Sequence, residues 1–207
     1  MRKHQGISLV LVVCSVVLFS APVMADSGHF VVEPFTGVNL RHGAADDGAG
    51  FESGVLFGVG GKFKGFPPRF FLYFRSSHSF FGGDTFVNDD NTTDSIHRSY
   101  TRLTGGLRVI IPLFSNLRMN LEIGGGKIFA YEQQHSDGMQ LGSYEDSMSI
   151  LELGAGLNYR IFHWLSAGLM TNYAIVMNGT YNDTYGLYYR NSHPNWISLT
   201  ATIGFHF

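Results

Sequence analysis

Segments of alternating hydrophobic and polar residues recur along the chain from about residue 30 to the C-terminal residue, more regularly in the second half than in the first. Successive side chains of a β-strand point to opposite sides, so this period of two predicts strands with one apolar and one polar face. In the last segment the apolar face carries Ile197, Leu199, Ala201, Ile203, Phe205 and Phe207. Similar segments begin near residues 30, 51, 69, 102, 117, 149 and 165, which predicts eight strands of about 10–14 residues each.

The connectors between these strands alternate in length. Short ones fall at 65–68, 112–116 and 162–164, and long polar ones at about 42–50, 79–95, 132–145 and 178–195. Short turns at one end and long loops at the other are typical of a membrane barrel, whose sheet must close because lipid cannot satisfy free backbone groups. The sequence therefore predicts an all-β fold, an eight-stranded antiparallel up-and-down transmembrane β-barrel. An even number of strands puts both termini at the short-turn end, which we expect to be periplasmic.

The alternative is a soluble barrel of the lipocalin kind, with a polar outside and an apolar inside. Here the polar face carries charged residues and many of the 26 glycines, which suits a narrow, filled lumen better. Charged residues are 14% of the chain, against roughly 25% in soluble domains. The net charge of −2 and the lack of a basic stripe argue against a nucleic-acid partner.

The N-terminal segment has the layout of a secretory signal peptide. Arg2 and Lys3 precede an apolar run from Ile7 to Ala21, and Ala25 offers a small residue for cleavage. We therefore expect residues 1–25 to be a cleavable signal and residues 26–207 to form the barrel domain. The single cysteine, Cys14, leaves with the signal, so no disulfide is expected.

Charged residues on the polar face give a hypothesis for the lumen. By chain order, four of them fall near mid-height: Arg75, Arg102, Glu122 and Glu152. Buried charges are tolerated only when paired, so we predict an interior salt-bridge network that plugs the barrel. Such a network is either a structural filling or a gate that rearranges to pass small solutes. Others are expected nearer the periplasm: Glu33, Lys62, Arg108, Arg118 and Arg160.

Aromatic residues gather where strands meet connectors, as in the two interfacial girdles of membrane barrels. The group at the short-turn end comprises Phe63, Phe66, Phe70, Tyr159, Trp164, Phe205 and Phe207. The group expected at the other end comprises Phe51, Tyr100, Tyr131, Tyr173 and Trp196.

The final strand resembles the assembly signal of outer-membrane barrels, which has hydrophobic residues at alternating positions before a terminal aromatic. The matching residues are Leu199, Ala201, Ile203, Phe205 and Phe207. With the signal peptide and the eight strands, residues 26–207 resemble the small outer-membrane β-barrel family of the OmpA and OmpX type in Gram-negative bacteria. The resemblance implies an outer-membrane location, contact with lipid and lipopolysaccharide, and insertion by the barrel assembly machinery. It implies no cofactor.

Three roles stay open from the sequence. We expect a structural or surface-interaction role through long extracellular loops that contact an unknown external ligand, with acidic (Asp84, Asp89, Asp90, Asp94) and tyrosine-rich (Tyr181, Tyr185, Tyr188, Tyr189) segments. The alternatives are a narrow gated pore and a lipid A-modifying enzyme, since some small outer-membrane barrels use His and Ser near the rim. Candidate rim residues are His42, His78, His97, His135 and His193, with Ser79, Ser99, Ser136 and Ser192. The His-x-Ser element from His97 to Ser99 has no acidic partner in the deacylase pattern, and neither catalysis nor a metal site is expected.

Overall fold

A computed structural model describes residues 30–42, 48–62, 67–87, 93–136, 139–179 and 195–207. The predicted signal peptide, the tyrosine-rich segment and parts of the other long connectors lie outside these residues. The described part contains eight strands and no helical segment with the length and hydropathy that a bilayer-crossing helix requires. The strands are β1 (Phe30–His42), β2 (Gly48–Lys62), β3 (Arg69–Val87), β4 (Thr93–Pro112), β5 (Leu117–Ser136), β6 (Met139–Arg160), β7 (Leu165–Gly179) and β8 (Asn195–His206).

The eight strands form one closed barrel in chain order, and every neighbouring pair is antiparallel. β1 closes the barrel against β8, with Thr36 opposite Ala201. The last residue takes part in this closure: Phe30 N donates to Phe207 O at 3.1 Å, and Phe207 N donates to Phe30 O at 2.9 Å. The predicted eight-stranded antiparallel barrel is therefore confirmed.

The barrel is apolar outside and polar inside, the reverse of a soluble protein. On β8 the residues from Ile197 to Ile203 that share odd numbers are exposed on the outer face. Ser198, Thr200 and Thr202, between them, are buried in the lumen. Elsewhere Leu72 is 65% exposed on the outer face. An outer wall of aliphatic and aromatic side chains around a polar interior is the arrangement of a transmembrane barrel, as the alternation predicts.

Four of the strands are much longer than the predicted 10–14 residues. β3, β4, β5 and β6 have 19, 20, 20 and 22 residues, so most of the expected connectors 79–95 and 132–145 are strand. The alternation of apolar and polar residues ends where the strands extend beyond the lipid. The hydrogen-bonded pairing of the strands continues past that point. Register shifts mark this region, between Phe81 and Asp84 on β3 and between Gln134 and His135 on β5.

At the short-turn end the described residues agree with the predicted aromatic girdle, with Phe63 and Phe66 outside them, and at the long-loop end part of the prediction is wrong. At the short-turn end Trp164 stacks with Phe162 and Phe205, at ring-centroid distances of 5.8 and 6.4 Å. At the long-loop end Trp196 and Tyr100 point into the barrel, where they are 1% and 8% exposed. Their even numbers put them on the same face as the other inward residues of β8 and β4. The position in the alternation therefore decides which way these side chains point, and closeness to a loop does not.

Candidate functional site

Seven charged side chains cross the lumen in one unbroken series of ion pairs, which we call the ion-pair chain. Acids and bases alternate along it, and its two ends are glutamates. In order of contact the members are Glu33, Arg108, Glu122, Arg75, Glu152, Arg102 and Glu52.

Glu122 joins the first half of the ion-pair chain. Its Oε1 accepts from Arg108 Nε at 2.5 Å, and its Oε2 accepts from Arg75 Nη2 at 2.5 Å. Arg108 also donates through Nη1 to Glu33 Oε2 at 2.5 Å. One carboxylate therefore bridges two guanidinium groups, each of which also pairs with a second glutamate.

Glu152 joins the second half. Its Oε1 accepts from Arg75, and its Oε2 lies 3.2 Å from Arg102 Nη1. Arg102 also donates to Glu52. Neutral side chains also accept hydrogen bonds from these arginines: Arg75 Nη1 donates to Asn172 Oδ1 at 2.9 Å, and Arg102 Nε donates to Ser77 Oγ at 3.4 Å.

All seven side chains of the ion-pair chain are almost fully buried, with the three arginine side chains 1–4% exposed. Each arginine contacts two carboxylates, and four glutamates face three arginines, so the chain carries one net negative charge. Removing one partner of a buried pair leaves an uncompensated charge, at a cost of about 3–5 kcal/mol. The members therefore hold one another in place across strands β1 to β6.

The ion-pair chain contains all four residues that the sequence predicts for the lumen network. It also contains three more: Glu33 and Arg108, which we expected nearer the periplasm, and Glu52, which we did not assign. Parity places Glu52 on the inner face and could have included it. The pairing of Arg108 with Glu122 depends on the register of β4 against β5, which the sequence pattern does not supply.

Inward glycines make room for the ion-pair chain. A Cβ at Gly154 would lie 2.5 Å from Asn172 Oδ1 and 3.1 Å from Glu122 Cβ. A Cβ at Gly124 would collide with the hydroxyl of Tyr73. The lumen is thus packed to the backbone here, and larger residues would displace the charged side chains.

Apolar groups fill the lumen on both sides of the ion-pair chain. Arg75 lies over the rings of Phe35 and Tyr73, at 5.5 and 5.6 Å from the ring centroids, and Val31, Phe71 and Ile110 fill the lumen toward the short turns. Toward the long loops, Trp196 and Tyr100 meet at 4.6 Å between ring centroids. This upper group consists of Phe81, Tyr100, Ile128, Ile150, Ala174, Val176 and Trp196.

The predicted rim histidines do not form a common site in the described residues. His78 lies on the outer face and shares a hydrogen bond of 2.9 Å with Thr101 Oγ1. His97 and His135 contact each other edge to face at 5.9 Å between ring centroids. Ser79 points inward instead and accepts from Asn39 Nδ2 at 3.1 Å. The side chains of His42 and Ser136, and the residues Ser192 and His193, lie outside the described residues.

The described residues contain neither a clustered metal site nor a Ser–His pair arranged as in a hydrolase. Within the described ranges no three His, Cys, Asp or Glu residues are placed to hold a metal ion. Sequence reasoning missed one Ser–His contact, Ser166 Oγ to His206 Nε2 at 2.8 Å, at the short-turn end. Ser166 is fully buried, and the described charged groups that act on His206 are arginines such as Arg118, an arrangement that differs from a solvent-accessible Ser–His–acid triad.

Comparison with known proteins supports the fold and leaves the activity open. No family model matches the sequence, and no curated protein sequence does. Among solved structures, the chain is similar to Ail, the attachment invasion locus protein of Yersinia pestis, with 11% identity, a TM-score of 0.52, and coverage of 87% of this chain and 99% of that one. It is also similar to Neisserial surface protein A, with 11% identity, a TM-score of 0.49, and coverage of 86% and 97%.

An enzyme is also among the similar structures. The outer membrane protease OmpT from Escherichia coli matches with 7% identity, a TM-score of 0.46, and coverage of 88% of this chain and 98% of that one. A shared fold does not imply a shared function, so these likenesses do not decide between a catalytic and a non-catalytic role. The closed barrel of eight strands and the likeness to Ail establish that the chain has the fold of the small outer-membrane β-barrels.

Proposed function

We propose that this protein is a non-catalytic outer-membrane scaffold. Its lumen is closed to solutes, its termini face the periplasm, and its long-loop end presents a surface for contact with an external partner. The observation that carries the proposal is the ion-pair chain, which spans the lumen without a break from Glu33 to Glu52.

The energetics of the ion-pair chain favour a lumen that stays shut. Each of its arginines is shared between two carboxylates, so moving one guanidinium aside breaks two buried contacts at once. At about 3–5 kcal/mol for each buried charge left unpaired, an open conformation is rarely populated. Apolar side chains above and below add a further barrier to hydrated ions.

A gated pore is the second candidate, and one end of the ion-pair chain favours it. Among the described residues, Glu52 Oε2, Glu152 Oε2 and Arg102 Nη1 make no hydrogen bond. Arg102 is therefore held less completely than Arg108, whose guanidinium bonds both of its carboxylates. A rearrangement that opens a path would start at Arg102.

Single-channel recording of the purified barrel in planar bilayers separates the two candidates. We expect no openings from the wild-type protein, from Glu52→Gln or from the control Lys127→Gln, which removes an exposed charge on β5. If the wild-type protein opens briefly, and the openings become frequent in Glu52→Gln but not in Lys127→Gln, the closed scaffold is rejected and the gated pore is supported.

Orientation and loop contact require tests on intact cells. An epitope inserted after Asp183 should be labelled by antibody on whole cells, whereas one inserted after Asn116 should be labelled only after permeabilisation. The reverse pattern would contradict the proposed orientation. Replacing the four tyrosines of residues 181–189 by serine should reduce adhesion of the expressing cells to epithelial monolayers, and unchanged adhesion would exclude this segment as the contact surface.

Lipid A provides the test for the absence of catalysis. Mass spectrometry of lipid A from cells with and without the protein should give identical spectra. A mass change that depends on the protein would assign it to the lipid-modifying enzymes.

A further inference from the structure

The mouth of the barrel at the short-turn end carries basic side chains that the ion-pair chain does not use. They occupy inward-facing positions on five different strands and are Lys62, Arg69, Arg118, Arg160 and His206. We call this set the basic ring. It is unexpected in a chain whose net charge is −2.

Part of the basic ring lines a pocket of about 140 Å³. Lys62, Arg69 and Arg118 supply its charged walls, and Pro67, Ile110 and Pro112 supply its apolar ones. A water molecule takes up about 30 Å³ in the liquid, so the space exceeds what a single water fills. Ile110 is only 4% exposed and forms part of the closed floor.

The positive charge of this pocket is not neutralised by the residues that the structure describes. Lys62, Arg69 and Arg118 make no ion pair there, and Glu33, the acid nearest the start of β1, is taken by Arg108. Arg69 and Arg160 are close enough to Arg118 to repel it. Holding like charges together opposes folding, so an anion that entered the pocket would relieve the repulsion.

Arg160 is held in place at the edge of the basic ring. Its Nε donates to the carbonyl of Phe162 at 3.2 Å, and its Nη2 donates to the carbonyl of His163. Both bonds lie within the β6–β7 turn, so this guanidinium is positioned before any ligand arrives. Preorganised cations lose less entropy when they bind.

We propose that the pocket binds a phosphate group. Arg69 and Arg118 match a phosphate through their planar forks of N–H donors, and Lys62 adds a point charge. Ile110 and the two prolines would contact the carbon chain next to the phosphate. A phospholipid headgroup and a free phosphate-bearing solute share this chemistry.

Binding measurements on the full barrel in neutral detergent test the proposal. One arm titrates inorganic phosphate by calorimetry, and the other adds phosphatidylglycerol or diacylglycerol and counts bound molecules by native mass spectrometry. The variant R69Q/R118Q should weaken binding at least tenfold. Lys127→Gln, which removes one positive charge from an exposed position on β5 and so matches each single variant R69Q and R118Q, should stay within twofold of wild type.

The two binding arms distinguish a free phosphate solute from a phospholipid headgroup. Binding of inorganic phosphate that is lost in R69Q/R118Q supports the site and means that a free phosphate-bearing solute can occupy it without a lipid tail. Binding of phosphatidylglycerol alone, lost in the same variant, supports the site and assigns it to lipid. No binding in either arm, equal binding of diacylglycerol, or full binding by R69Q/R118Q would overturn the proposal. Heat-modifiable migration in SDS gels checks folding, and the single variants R69Q and R118Q replace the double variant if it fails to fold.

Discussion

Arg108 and Glu122 stand directly opposite each other on β4 and β5, and their side chains meet inside the barrel with Nε and Oε1 2.5 Å apart. A cross-strand pair that is also a buried ion pair ties the register of two strands to the filling of the lumen. A shift of either strand by one residue would turn its own charge to the lipid face and leave the other charge buried without this partner. The pair therefore contributes to specifying the barrel as well as to closing it.

Glu122→Gln should be the most destabilising neutral replacement in the ion-pair chain. It leaves both Arg75 and Arg108 short of a carboxylate, and we expect a loss of about 3–5 kcal/mol in the free energy of unfolding. Urea unfolding in lipid vesicles, followed by tryptophan fluorescence, measures it. Lys127→Gln, with its exposed side chain, is the matched control and should change stability by less than about 0.5 kcal/mol.

Glu33 and Arg108 should be strongly coupled. Either single replacement, Glu33→Gln or Arg108→Gln, leaves a buried charge, whereas the double variant removes the pair at 2.5 Å. We expect the double variant to be more stable than the sum of the single losses by about 0.5–3 kcal/mol in a double-mutant cycle. Strict additivity would mean that solvent already screens this pair.

Gly154→Val should disturb the ion-pair chain through volume alone. The new side chain would occupy space held by Asn172 and the stem of Glu122, at a cost of about 1–3 kcal/mol. Gly105→Val, on the exposed outer face with its nearest neighbour 3.4 Å from the added Cβ, is the control. Similar losses in both variants would point to backbone effects in place of lumen packing.

The two tryptophans should report opposite sides of the wall. Trp164 is 42% exposed on the outer face and Trp196 is 1% exposed in the lumen. In vesicles of brominated lipid we expect strong quenching when Trp164 is the only tryptophan, in W196F, and weak quenching in W164F. Equal quenching in the two variants would contradict the inward position of Trp196.

Period two was sufficient to predict the barrel because lipid forces the outer face to be apolar along each membrane-spanning strand. The same cause explains where prediction failed. Beyond the lipid, β3 to β6 keep their hydrogen bonds without alternation, and the pattern that marks a strand disappears while the strand goes on. The expected loops at 79–95 and 132–145 were wrong for this reason.

The presence of a salt-bridge network in the lumen was predictable from the sequence, but the complete set of its residues was not. Parity identifies Arg75 and Glu152 as inward charges, and inward charges must pair. It does not tell which partners meet, because in a tilted barrel a side chain reaches across several strands. Arg102 finds Glu52 across a separation of 50 residues, a contact that only the closed geometry creates.

Within the residues that the structure describes, the strand pairs extend for different distances at the long-loop end. The register of β6 with β7 begins at Met148 opposite Gly179, while β5 and β6 stay paired as far as Ser136 and Met139. The nine residues 139–147 therefore carry the sheet about 30 Å farther along the strand direction, at about 3.4 Å per residue. β3 and β4 follow part of the way, as far as Val87 opposite Thr93. Along β5 and β6, this extended sheet places backbone and side chains beyond the lipid-facing wall, where a molecule can contact them without entering the lumen.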